Sequence, residues 1–99
     1  MKLSVVVLCY NEAKNIAAFQ SAVIETFADW DYDYEIVFVN DGSSDATLYN
    51  LRKLHAQQKC PVKGISFFRN CGKEAGLYAG LRRASGDYIS LLFYMVFVS

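Results

Sequence analysis

Short unbroken apolar runs alternate along the chain with longer stretches in which apolar residues recur every three or four positions. Leu3-Ser4-Val5-Val6-Val7-Leu8-Cys9 is rich in β-branched residues, the pattern of a strand buried on both faces. From Asn11 to about Ala28 the spacing becomes helical. Ile16, Phe19, Val23 and Phe27 form one stripe, widened by Ile24 and flanked by Ala17. Asp29 to Asp33 breaks the pattern, and Glu35-Ile36-Val37-Phe38-Val39-Asn40 predicts a second buried strand. Asp41-Gly42-Ser43-Ser44-Asp45 is a turn leading into a helix, with a serine able to cap it and Asp45 suited to its first turn. Leu48, Leu51 and Leu54 give that helix its apolar stripe, running to about Gln58, and Pro61 lies beyond its end. Val62 to Phe68 predicts a third strand. Gly72 to about Ala84 predicts a third helix, with Gly76-x-x-x-Gly80 as a smooth face for close packing and Gly86 as its stop. Asp87 to Val98 reads as a fourth strand.

The order is β-α-β-α-β-α-β. Strands alternating with helices of this length predict an α/β fold, a Rossmann-like parallel sheet with right-handed crossovers. Ligands in such sheets sit beyond the carboxyl ends of the strands, near a switch in strand order. Three polar clusters follow directly on apolar strands: Tyr10-Asn11-Glu12, Asn40-Asp41-Gly42 and Arg69-Asn70-Cys71-Gly72-Lys73. All three are expected on one rim.

Composition narrows the classes. The chain has 99 residues, which is one domain or a piece of one, and 54% are apolar, which excludes disorder. Ten basic residues balance ten acidic ones, so wholesale binding to nucleic acid or to an acidic membrane surface is not expected. Cys9, Cys60 and Cys71 are odd in number and form no Cys-x-x-Cys pair, which favours reduced cytosolic thiols over a disulfide framework or a zinc site. The apolar start is cut short by Asn11, Glu12 and Lys14, unlike a signal peptide. Ile89 to Val98 is too short for a membrane-spanning helix, which takes about 20 residues.

Each strand end has a plain structural reading and a functional one. Asp41 before Gly42 suits a turn and helix cap, and its carboxylate is equally able to accept from a base N–H or a ribose hydroxyl. Glu12 complements a helix start or contacts a nucleotide, and Tyr10 stacks on a base or packs in the core. Arg69 and Lys73 flank Gly72 at a helix start, where an anion is favoured. This is a diphosphate cradle or a solvated basic pair balanced by Glu74. Rival motifs fail. The first strand–helix turn has no glycine for a dinucleotide fingerprint. Gly72-Lys73 lacks both a glycine five residues earlier and a following Ser or Thr, so it is no P-loop. His55, the only histidine, sits mid-helix and is expected at or near the surface.

Four segments in this order resemble a known family. Val5-Val6-Val7-Leu8-Cys9-Tyr10-Asn11-Glu12 and Glu35-Ile36-Val37-Phe38-Val39-Asn40-Asp41-Gly42-Ser43-Ser44-Asp45 are similar to inverting family-two glycosyltransferases of the GT-A fold. The run from Ile65 through Arg69-Asn70-Cys71-Gly72-Lys73-Glu74-Ala75-Gly76 to Leu81, with Ala84-Ser85-Gly86-Asp87-Tyr88-Ile89, resembles the branch of dolichol-phosphate mannose synthases and bactoprenol glucosyltransferases. The likeness covers residues 3 to 92 of a single partial domain, 1–99, and leaves 93–99 as a divergent tail.

The resemblance implies sugar transfer from a UDP- or GDP-sugar to a polyprenyl phosphate, with inversion, at the cytosolic membrane face. It implies nucleotide contacts from Tyr10, Asn11, Glu12, Asp41 and Gly42, and diphosphate or acceptor-phosphate contacts from Arg69, Gly72 and Lys73. Leu8 stands where proline is usual and Cys71 where an aromatic is usual. The family's acid-x-acid motif, which holds Mg²⁺ or Mn²⁺, would fall on Phe93-Tyr94-Met95, none of which binds a metal. The expectation is therefore a truncated transferase, inactive alone, with a frameshift or premature stop as one origin. The alternatives are a non-catalytic nucleotide-binding module and a product with no function. Self-association through the apolar fourth strand is also expected.

Overall fold

A computed structural model describes residues 1–11, 14–29, 31, 33–42, 46–57, 60–67, 69 and 71–93, with the backbone alone for Lys73, Leu92 and Phe93. The elements are β1 (Lys2–Cys9), α1 (Ile16–Thr26), β2 (Asp33–Asn40), α2 (Thr47–Gln57), β3 (Val62–Ser66), α3 (Lys73–Arg83) and β4 (Tyr88–Phe93). All strand pairs are parallel, in the order β3-β2-β1-β4. The chain steps from β1 outward to β3, then crosses back through α3 to β4 on the far side of β1. That reversal is the switch point at which open α/β sheets place their ligands.

Alternation along the central strands sends successive side chains to opposite faces. Val5, Val7, Cys9, Ile36 and Phe38 pack with Ile16 and Val23 of α1 and Leu51 and Leu54 of α2. Phe19 meets Phe38 edge to face at 6.0 Å. Val6, Leu8, Val37 and Val39 form the core on the other face, where α3 lies across β1 and β2. The Gly76-x-x-x-Gly80 spacing allows that approach. A Cβ at Gly76 would lie 3.0 Å from Leu8 Cδ2, and one at Gly80 only 2.4 Å from Val6 Cγ1.

Two expectations need correction. Asn11 does not begin the first helix. Its φ of 53° is left-handed, incompatible with a helical turn, and α1 starts at Ile16 behind Asn15. The third strand ends at Ser66, with Phe67 N still bonded to Asn40 O just beyond it, and Phe68 lies outside the described residues. Of the expected fourth strand, Tyr88–Phe93 is observed, and the remainder to Val98 lies outside the described residues.

A buried carboxylate closes the amino end of the sheet. Glu35, 1% exposed, accepts from Ser4 Oγ at 2.6 Å, Ser85 N at 2.8 Å and Ser85 Oγ at 3.1 Å, and pairs with Lys63 Nζ at 2.9 Å. Gly86 N in turn donates to Ser4 Oγ, Asp87 N donates to Lys2 O, and Lys2 N donates to Asp87 Oδ2. A Cβ at Gly86 would lie 2.6 Å from Ser4 Oγ. The Ser85-Gly86-Asp87 segment thus sets where β4 joins the sheet. Burial alone would push Glu35 up, but the hydrogen bonds from Ser4, Lys63 and Ser85 outweigh it and hold the group at about 2.

Candidate functional site

The carboxyl ends of β1 and β2 and the loop entering α3 meet on one rim. Asp41 N donates to Cys9 O at 2.8 Å, joining the ends of β2 and β1. Asp41 Oδ1 accepts from Cys71 N at 2.7 Å, drawing in the loop that leads to Gly72 and Lys73. Asn40 holds β3 alongside: its carbonyl accepts from Phe67 N at 3.0 Å and its Nδ2 donates to Ser66 Oγ at 3.2 Å. Asn40 and Asp41 are both buried, at 2% and 0% exposure. They tie all three loops together.

Backbone strain gathers in the same place. Asn11, Gly42 and Gly72 have φ of 53°, 70° and 91°, and among the described residues no others are left-handed. Gly72, with ψ 167°, lies in a region that is essentially closed to residues with a Cβ, and it opens α3 without a side-chain cap. Gly76 N donates to Gly72 O at 3.1 Å, so the first turn of α3 starts directly at this glycine. The start of α3 turns the positive end of the helix dipole to the rim, an arrangement suited to an anion.

The residues singled out in the sequence are distributed as follows. Tyr10, 39% exposed, and Asn11, also exposed, follow β1 on the surface of the rim. Asp41 lies beneath them, sealed from solvent. Gly42 continues from it, half-buried. Arg69 is exposed in the third loop and Gly72 caps α3. Lys73 is the first residue of α3 by its backbone, and Glu12 lies outside the described residues. Asn40 and Cys71 stand in the polar clusters singled out in the sequence, but the hydrogen bonds by which they join the loops do not show there. Their partners are 26 and 30 residues away, and nothing local marks them.

The other titratable groups stay clear of the rim or add little to it. Cys9 and Cys60 are buried free thiols, Cys71 is exposed, and His55 is exposed on α2. Two cavities among the described residues lie elsewhere, one of about 460 Å³ along β3 and one of about 250 Å³ between α1 and α2. No group of three or more His, Cys, Asp or Glu able to hold a metal occurs among the described residues. The sequence after Asp87 contains no carboxylate side chain. No helix among the described residues is long and apolar enough to cross a membrane.

Comparison with known proteins places this geometry. The sequence profile described as Glycosyl transferase family 2 matches residues 4–92. A bactoprenol glucosyl transferase of Shigella phage SfV is 45% identical over 89 residues, covering 90% of this chain and 29% of that protein. The mannosyltransferase PcManGT from Pyrobaculum calidifontis, solved in complex with GDP-Man and Mn²⁺, superposes with a TM-score of 0.73 at 25% identity, covering 88% of this chain and 25% of that one. TarS 1–349 of S. aureus in complex with UDP-GlcNAc superposes with a TM-score of 0.75 at 28% identity, over 94% of this chain and 26% of that one. The chain spans less than a third of the length of each.

Proposed function

The chain belongs to glycosyl transferase family 2, and from that membership we propose that it forms the donor-binding part of an inverting transferase acting on a UDP- or GDP-sugar and a polyprenyl phosphate. The observation that carries this reading is the Asp41–Cys71 hydrogen bond. It holds the start of α3 beside the ends of β1 and β2. The names of the relatives support the two substrates: a bactoprenol glucosyl transferase for the lipid, and structures with GDP-Man and UDP-GlcNAc for the donor.

In this reading Tyr10, Asn11, Glu12 and Gly42 line the base and ribose. Arg69, Gly72 and Lys73 meet the diphosphate or the acceptor phosphate. Asp41 acts from below, fixing the turn that the phosphates approach. The acceptor places the reaction at the cytosolic membrane face. Because Phe93-Tyr94-Met95 stand where the resemblance puts the acid-x-acid pair, that pair is not there to offset charge on the departing diphosphate, an effect worth several kcal/mol. These 99 residues bind donor without turning it over. The missing pair equally favours a purely binding role for this chain.

Calorimetric titration with UDP, GDP and their sugars, with and without Mn²⁺, tests the reading. Binding of at least one nucleotide, unchanged by Mn²⁺, is expected. No heat at millimolar ligand would refute donor binding, and turnover of a nucleotide sugar would refute inactivity.

A further inference from the structure

The larger cavity, about 460 Å³, runs along the outer edge of β3. Among the described residues β3 pairs only with β2, and its backbone shows which groups face away. Pro61 O accepts from Ile36 N and Phe67 N donates to Asn40 O. In a parallel ladder the residues between alternate, so Val62, Gly64 and Ser66 turn their N–H and C=O groups outward. Gly64 leaves a notch there, since a Cβ built on it meets nothing within 4 Å. Leu48 and Leu51 form the apolar wall beneath.

The charge lining this groove has one sign. Among the described residues Arg52, His55, Lys63 and Arg83 line it and no acidic residue does. Lys63 is already paired with Glu35 at 2.9 Å. Arg52 and Arg83 are exposed and make no ion pair among the described residues. An edge of outward N–H groups flanked by unpaired guanidinium groups suits an acidic polypeptide segment, because lipid or nucleic acid gives no main-chain partner to the edge.

The same chain carries such a segment. Asp29, Asp31 and Asp33 are spaced two apart, exposed, and without an ion pair among the described residues. Asp29 lies in the turn after α1, Asp31 lies in a bend and Asp33 opens β2, so all three carboxylates fall within one short connection. Asp33 opens β2 only three residues before Ile36, the residue registered with Val62 of the groove. Asp33 thus stands on the strand that neighbours the groove's edge, and a two-fold arrangement would let each copy offer its acidic connection to the other's groove.

We propose that the chain forms a two-fold dimer in which Asp29, Asp31 and Asp33 of each copy face Arg52 and Arg83 of the other along the open edge of β3. The contact is electrostatic, so it weakens with salt. Association through the apolar β4 would do the opposite.

Sedimentation equilibrium of the purified chain tests this. A dimer at about 20 mM salt that dissociates at about 500 mM is expected, since screening shortens from roughly 20 Å to 4 Å. Two variants, R52E/R83E and D29K/D31K, should each weaken dimerisation by at least about tenfold through like-charge contacts. Mixing them should restore a dimer, because each reversed surface then meets its complement. All four positions are exposed, and circular dichroism verifies that both variants stay folded. A monomer at low salt, a dimer strengthened by salt, variants that dimerise like the parent, or a mixture that stays monomeric would each overturn the proposal.

Discussion

Asp41 and Cys71, 30 residues apart, are joined by a 2.7 Å hydrogen bond from the Cys71 backbone N–H to the Asp41 carboxylate. The carboxylate is sealed from solvent. It therefore holds together two loops that local sequence leaves independent, and it sets where the start of α3 stands relative to β1 and β2.

Substitution separates that holding role from direct contact. Asp41→Ala removes the acceptor and leaves the Cys71 N–H to find another partner, at a cost of about 1–3 kcal/mol. Nucleotide affinity should fall with it by at least about tenfold. Asp41→Asn keeps an oxygen acceptor in the same place and should retain most of both. Urea unfolding and nucleotide titration of the two variants check this. An Asn variant that is stable yet has lost affinity would show that the carboxylate acts on the ligand directly.

Gly72→Ala places a Cβ where φ is 91° and ψ 167°, a conformation that costs a residue with a Cβ about 1–3 kcal/mol. The loop should relax away from the rim. Thermal unfolding would register the strain, and weaker nucleotide binding would register the displaced helix start. Unchanged binding would remove Gly72 from the site.

Gly80→Ala tests the packing of α3. The new methyl would lie 2.4 Å from Val6 Cγ1, and overpacking of this kind costs about 1–3 kcal/mol. Gly64→Ala, with open space around it, should change stability by less than about 0.5 kcal/mol. Equal losses at both positions in urea unfolding would contradict the close helix–strand approach.

Glu35 gives the fold a defined acid limit. Its ordinary value of 4.5 is lowered to about 2, so the unfolded chain binds the proton more readily. The stabilisation is complete above 4.5 and is lost as pH falls towards 2, in total about 3 kcal/mol. Denaturant midpoints measured from pH 6 to pH 2 should fall for the parent. They should fall less for Glu35→Gln, which starts less stable because Lys63 loses its anion. Parallel curves would show that the cluster does not stabilise the fold.

Much of this architecture is legible in the sequence. The runs Val5 to Cys9 and Ile36 to Val39 are apolar enough to announce buried parallel strands, and Gly76 and Gly80 announce a close helix crossing. The rest is not. Nothing local in the sequence shows how Glu35 and Gln20 are satisfied, because their partners are distant: Ser4, Lys63 and Ser85 for the first, Cys60 for the second. The start of α1 is displaced because Asn11 takes a left-handed turn that its apolar spacing does not reveal. At the rim, the residue types were visible after each strand, whereas the joints that assemble them, Asn40–Ser66 and Asp41–Cys71, exist only once β2 and β3 lie side by side.

The most direct test of the account is to follow backbone amide resonances while UDP or GDP is added. Shifts centred on Tyr10, Asn11, Asp41, Gly42, Cys71 and Gly72 are expected for at least one of the two nucleotides. Saturating nucleotide that leaves these amides unmoved, or that shifts only residues of the groove between α2 and β3, would contradict it.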